Sequence, residues 1–322
     1  MNAKQLRTLI TFLLVLIVGA LFSVTTTTFF TASNISQLLR DGAYLGTIAL
    51  GMAFVMISGN IDLSAGGIVC FSGCIGAKFA MMGLPMPVVV LVTILVGIAL
   101  GYLNSVLVNH LHLAPFVATL SSGFIYSGLG LIFTYRENGR IISKAVGNPG
   151  FTAIGGKIGM FYYSVIAWII LAALAYFVLT RTKFGTHTYA MGSHETAAKM
   201  SGVKLFRTKA TCYMICGALC GVAAAFTVAY TKTATPSLGT SMEFQAIAAC
   251  VVGGIVMSGG SGSAIGAFLG GLFMAMLNNG MLKYGLSTDW QQIFQGAIII
   301  LATGFDAQFT RIMNARMRAK NE

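Results

Sequence analysis

Apolar residues run in long blocks along this chain, interrupted by short clusters of Gly, Ser, Asn and charged residues. A helix that crosses a hydrocarbon core of roughly 30 Å needs about 20 such residues. Read by that length, the blocks predict ten spans, at about 9–28, 42–58, 65–82, 87–108, 114–134, 161–180, 209–230, 244–258, 264–282 and 290–308. Several are shorter than 20 residues, which predicts tilt, local thinning or incomplete crossing. The expected fold class is all-α: a polytopic membrane protein of about ten transmembrane helices in a single domain over residues 1–322. Lys4 and Arg7 precede the apolar run from Leu9 in the manner of a signal peptide. No convincing small-residue cleavage site follows, so this run is read as a retained first span.

Composition agrees with the pattern. Hydrophobic residues make up 56% of the 322 and charged residues only 9%, against roughly 25% charged in a soluble domain. The net charge of +12 could suggest nucleic acid, but the cations lie at span ends and in loops and no recognition motif accompanies them. Positive-inside topology and contact with anionic lipid account for them more simply.

One long polar segment, 181–208, carries Arg181, Lys183, Lys199, Lys204 and Arg207 against a single acid, Glu195. Positive charge between apolar spans marks a cytoplasmic loop. Within it Ser193 is placed as an N-cap, Glu195 lies in the first turn where the helix dipole favours an anion, and Gly202 is a stop signal. A surface helix of about two turns is expected there. The same topology puts the N-terminus and the basic tail 309–322, with Arg311, Arg316, Arg318 and Lys320, on the cytoplasmic side. Arg136, Arg140, Lys144 and Lys157 fall in the longest outer loop and weaken the bias.

Cys70, Cys74, Cys212, Cys216, Cys220 and Cys250 all fall within predicted spans and read as small packing residues rather than metal ligands. Gly266, Gly270 and Gly271, with Ala264 and Ala267, form a small-residue face. Such a face serves close helix packing within the chain or a subunit interface. Two Gly- and Ser-rich breaks, 58–64 and 258–263, interrupt apolar spans in similar sequence settings. An internal repeat and coincidence explain this equally well. Irregular backbone at membrane depth survives only against protein or water, so both breaks are candidate elements of a translocation path.

Asp62 lies in the first break. Its charge reads as a solvated cap for the helix starting near Ser64, and the segment around it as functional. Neutral donors and acceptors suited to a hydroxyl-rich solute are Ser58, Asn60, Ser64, Asn104, Gln245, Ser258, Ser261 and Asn278, with Phe116 as an aromatic candidate. Hydrogen bonds between helices are the competing use for each. No phosphate loop, His-Glu-x-x-His or Gly-x-Ser-x-Gly elbow is present, and no acid, base or metal site can be assembled. No catalytic role and no metal are expected of this chain.

Three segments carry a resemblance: Gly51-Met-Ala-Phe-Val-Met-Ile-Ser-Gly-Asn-Ile-Asp-Leu-Ser64; Thr182-Lys-Phe-Gly185 with Ala190-Met-Gly192, Glu195, Ala197-Ala198 and Ser201-Gly202-Val203; and Glu243-Phe-Gln-Ala-Ile-Ala-Ala249 with Val252-Gly-Gly254, Ser258-Gly-Gly-Ser-Gly262 and Leu277-Asn-Asn-Gly280. Together they resemble the permease subunit of ATP-binding-cassette importers of the ribose and related monosaccharide type, over about residues 40–308. Asn60 and Gln245 stand where that family usually has Gly and Asp.

The resemblance implies a second permease chain, identical or a sister, and an extracytoplasmic solute-binding protein, in a bacterial cytoplasmic membrane. It also implies a separate ATPase that uses ATP and magnesium, with no cofactor on this chain. Gly185, Gly192, Glu195, Ala197, Ala198, Ser201 and Gly202 would couple to the ATPase. Importers of autoinducer-2, nucleosides or branched-chain amino acids are the nearest alternatives. A stand-alone channel or ion-coupled carrier fits less well, since intramembrane acids are few.

Overall fold

The computed structural model describes residues 3–133, 136–137, 140–141, 144–235, 237–287, 289–301 and 304, with side chains masked at 3–5, 136–137, 140–141 and 144. The tail expected at 309–322 lies outside the described residues. The chain is built of helices: α1 Ala3–Thr25, α2 Ala32–Ile57, α3 Ala65–Met81, α4 Met86–Asn109, α5 Pro115–Phe133, α6 Pro149–Thr152, α7 Tyr163–Arg181, α8 Lys183–Ser193, α9 Glu195–Met200, α10 Leu205–Thr231, α11 Met242–Val252 and α12 Ala264–Lys283, followed by α13 over 289–301. Among the described residues, strands are confined to two-residue antiparallel pairs, one of them Lys144–Ala145 with Thr233–Ala234.

Among the described residues, seven helices (α1, α2, α4, α5, α7, α10 and α12) are long and apolar enough to cross a membrane. Three of the ten expected spans differ from that. α3 has 17 residues and α11 only 11, and the span expected at 290–308 is described as helix only to 301. The apolar run 244–258 is therefore not one helix. It is helical to Val252 and then irregular to Ser263. Gly253 and Gly254 interrupt it, and Gly254 takes φ +80°, which only glycine adopts without strain.

Burial sorts the helices into a centre and a periphery. The membrane windows of α2 and α10 are 89% and 67% buried, while those of α1, α4 and α7 are 22–28% buried. The outer helices turn apolar faces outward, as a chain solvated by lipid requires. α10 crosses α4 and α2 closely because small residues face each other. A Cβ at Gly97 or Gly101 would strike the backbone of Gly217 or Tyr213, and one at Gly51 would strike Cys216 Cα. The small-residue face of α12 likewise packs inside the chain: Gly266 meets Gly253, Gly270 meets Ala249 and Gly271 meets Gly46. All six cysteines are buried and none is in a disulfide.

Candidate functional site

The two breaks meet. α2 ends at Ile57 and the chain turns at Gly59, φ +81°. The break after α11 turns at Gly259 and Gly260, φ +90° and +71°. The Gly260 amide donates to the Ile57 carbonyl at 2.9 Å, and a Cβ at Gly259 would fall 2.6 Å from Gly59 Cα.

The third partner is the end of α8. Gly192 packs on the Ile57 carbonyl oxygen and the Gly260 amide nitrogen so closely that a Cβ there would overlap both. One turn earlier Tyr189 donates its hydroxyl to the Gly262 carbonyl at 2.8 Å, and burial pushes this phenol up to about 12, so it remains a donor. Gly192, expected at an ATPase contact, thus faces inward and joins the polar loop to both breaks.

Beyond this junction α9 protrudes. Its N-cap is His194, not the expected Ser193: the Ala197 amide donates to His194 Nδ1 at 3.3 Å, while Ser193 Oγ donates to the Tyr189 carbonyl. The reason is local. Ser193 still belongs to α8, and the chain leaves helical geometry only at His194, φ −160°. Gly202 ends the motif at φ +84°, as expected of a stop signal.

Glu195 accepts from Lys209 Nζ on α10 at 2.8 Å. Ala198 is 4% exposed and packs with Met191 and Val203, which anchors the loop. Thr196, Ala197, Lys199, Met200, Ser201 and Gly202 form the outward face, with Met200 85% exposed. Gly185 is buried at the start of α8 against the Leu179 carbonyl, its amide donating to Thr182 Oγ1.

The polar residues of the first break enter a buried network. Asp62 is fully buried, contrary to the solvated cap expected. Its Oδ1 accepts from the Ser64 amide at 3.0 Å, from Ser64 Oγ at 2.6 Å and from Asn104 Nδ2 at 3.4 Å. Asn104 Nδ2 also donates to Ser64 Oγ, and Asn104 Oδ1 accepts from Ser122 Oγ at 2.7 Å and Tyr126 OH at 3.0 Å. The Leu63 amide donates to Thr119 Oγ1 and Tyr213 OH donates to the Ile61 carbonyl. The bonds from Thr119, Asn104 and Tyr213 hold the irregular break to α5, α4 and α10, which satisfies groups that lipid cannot. Within this network, Asp62 Oδ2 has no hydrogen-bond partner among the described residues.

Sequence reasoning did not bring in Thr119, Ser122 or Tyr213. Thr119, Ser122 and Tyr126 are spaced three and four apart on α5, a polar stripe that helical periodicity could have exposed.

The other candidates separate. Ser58 and Asn60 are buried and bond locally, Ser58 Oγ to the Val55 carbonyl and Asn60 Nδ2 to Ser58. Ser258 is exposed and Ser261 half-buried in the second break. Gln245 and Asn278 form a distinct amide cluster with Gln295: Asn278 Nδ2 donates to Gln245 Oε1 at 3.2 Å and Gln295 Nε2 to Asn278 Oδ1 at 3.4 Å. Phe116 is 57% exposed on α5 and joins neither group.

Comparison with known proteins places these features in a lineage. Residues 34–303 match the family described as branched-chain amino acid transport system / permease component. The chain is 35% identical to the ribose import permease protein of Bacillus subtilis over 92% of its length and 90% of the relative's. It is 32% identical to the xylose transport system permease protein of Escherichia coli strain K12, covering 88% and 87% of the two chains. Against the galactose/methyl galactoside import permease protein of Haemophilus influenzae it is 33% identical over 87% and 88%. No solved structure gives a significant match.

Proposed function

Because the chain belongs to the family of transport-system permease components, we propose that it is the membrane subunit of an ATP-driven importer carrying a monosaccharide into the cytoplasm. The chain is a transport permease and not an enzyme. Its sugar-import relatives favour ribose, xylose, galactose or a sugar of that class as the solute. In this reading the energy comes from a separate ATPase, the solute from an extracytoplasmic binding protein, and a second permease chain completes the path. The assembly sits in the bacterial cytoplasmic membrane with the 181–208 loop inside, by the positive-inside rule.

The observation that carries the coupling is the joint packing of α8 and α9. α9 projects Met200 outward, and the residue that closes α8 on its inner side, Gly192, lies on both breaks at once. A push on α9 therefore reaches Ile57 and Gly260 through backbone contacts, without a soft side chain between. Met191, Ala198, Val203 and the Glu195–Lys209 pair keep α9 on the body while it moves. The ATPase contact then falls to Ala197, Met200, Ser201 and Gly202, with Glu195 and Ala198 positioning the helix and Gly185 setting the turn into α8. Ser58, Asn60, Asp62, Ser64 and Asn104 brace the first break beside the path.

The experiment is uptake in a bacterial strain stripped of other routes and supplied with this chain and its operon partners. Radiolabelled D-ribose, D-xylose and D-galactose are offered, with L-leucine as the competitor suggested by the family's description. Accumulation of a sugar that stops on ATP depletion supports the reading. Accumulation of leucine and no sugar overturns it.

A further inference from the structure

The shortness of α11 has a physical consequence for the outer half of the membrane. At its inner end, Thr11 Oγ1 on α1 donates to the Val252 carbonyl at 2.8 Å, and Gly254 lies against the Arg7 side chain. Eleven residues at 1.5 Å each span about 16 Å, so the first turn of α11 lies about halfway through a roughly 30 Å core. The chain before it must descend that far without a helix, from Thr233–Ala234 in the outer loop.

It does so through consecutive turns. The Thr240 amide and Oγ1 both bond to the Ser237 carbonyl, and the Met242 amide donates to the Gly239 carbonyl. Ser237 and Thr240 are exposed, Ser241 half-exposed. Such backbone at membrane depth requires water or protein beside it.

Glu243 stands at the foot of this descent, in the first turn of α11. Its carboxylate presses on Gly66 at the start of α3, where a Cβ would collide with Glu243 Oε2 and with the Gly239 carbonyl. The first turn of α3 supplies positive helix-dipole charge there. Glu243 is half-exposed and has no ion-pair or side-chain hydrogen-bond partner among the described residues. A carboxylate at that depth does not face acyl chains, so its open side is turned to water or to another protein chain. Phe244 beside it is 44% exposed, an apolar surface next to an acceptor.

We infer that Glu243 is the hydrogen-bond acceptor that holds the solute's hydroxyl groups midway across the membrane, at the base of an aqueous outer half lined by Ser237, Thr240 and Ser241. The inference rests on the sugar-import reading above. A carboxylate accepts from two adjacent hydroxyls at once, and the ring face of Phe244 packs on the sugar's C–H face.

Two measurements test it. In the uptake strain, Glu243→Gln lowers sugar accumulation about tenfold or more at unchanged abundance in the membrane, the loss expected of a hydrogen bond to a charged group. Glu243→Asp restores part of it, and ATP hydrolysis stimulated by the binding protein persists in both. In a chain lacking its native cysteines, the Glu243→Cys variant reacts with a charged methanethiosulfonate reagent added outside, and sugar slows the reaction. Wild-type uptake with Glu243→Ala, or a Glu243→Cys variant that never reacts, overturns the inference. A wild type that imports none of the three sugars defeats the sugar reading instead, and labelling of the Glu243→Cys variant still decides whether the position lines water.

Discussion

Gly192→Ala adds one methyl group at the point where the polar loop meets both breaks. That methyl overlaps the Ile57 carbonyl oxygen and the Gly260 amide nitrogen, backbone atoms that no rotamer change can move aside. The Gly260 N–H to Ile57 C=O bond of 2.9 Å must open or α8 must lift. Overpacking of this kind costs about 1–3 kcal/mol, and the lost hydrogen bond adds about 0.5–1.5 kcal/mol. The total is about 1.5–4.5 kcal/mol by the same two terms, carried at the junction and not in the bundle.

The expected result is a transporter that assembles and hydrolyses ATP but moves several-fold less sugar per ATP. Gly128→Ala is the control, because nothing lies within 4 Å of a Cβ there. The assay is the ratio of sugar accumulated to phosphate released in proteoliposomes, beside thermal unfolding in detergent. If Gly192→Ala matches the control in both, the junction does not transmit force and the coupling argument falls.

Met200→Asp should abolish capture of the ATPase and sugar uptake while leaving unfolding unchanged, since Met200 is 85% exposed; retained capture would remove Met200 from the contact. Ala198→Asp should instead lower stability, by about 1–3 kcal/mol for an unsatisfied buried polar group or more for the charge, because Ala198 packs under Met191 and Val203; limited proteolysis of the loop reads it out. Asn104→Ala strips donors from Asp62 and Ser64 and an acceptor from Ser122 and Tyr126. It should cost more than Asn60→Ala, whose amide bonds only within its own turn, and a smaller loss in thermal unfolding would contradict the network. In a cysteine-free chain, Gly147→Cys should react with an impermeant thiol reagent from outside and Thr186→Cys should not; the reverse pattern would invert the topology.

Much of this architecture was legible in the chain because membrane helices announce themselves by length and hydropathy. The end of α9 was legible too, since Gly202 marks the stop by backbone chemistry alone, whereas its N-cap was expected one residue early because Ser193 still belongs to α8. Three things were hidden. Val252-Gly-Gly-Ile-Val-Met257 stays apolar through a turn, so hydropathy could not show that α11 stops at Val252 or that Glu243 lies in its first turn. The inward role of Gly192 depends on residues 57 and 260, far away in sequence. Asp62 looked like a surface cap because Ser64 bonds it locally, while Asn104 on α4 reaches it only when the helices pack.

The most direct test of the account is sugar transport by the purified complex of this chain with its ATPase and binding protein in sealed proteoliposomes. With ATP on the ATPase side and binding protein on the other, radiolabelled D-ribose, D-xylose or D-galactose should accumulate against a gradient, and Met200→Asp should stop it. Equilibration of sugar without ATP would make this chain a channel, and ATP hydrolysis with no accumulation of any of the three sugars would contradict the function proposed here.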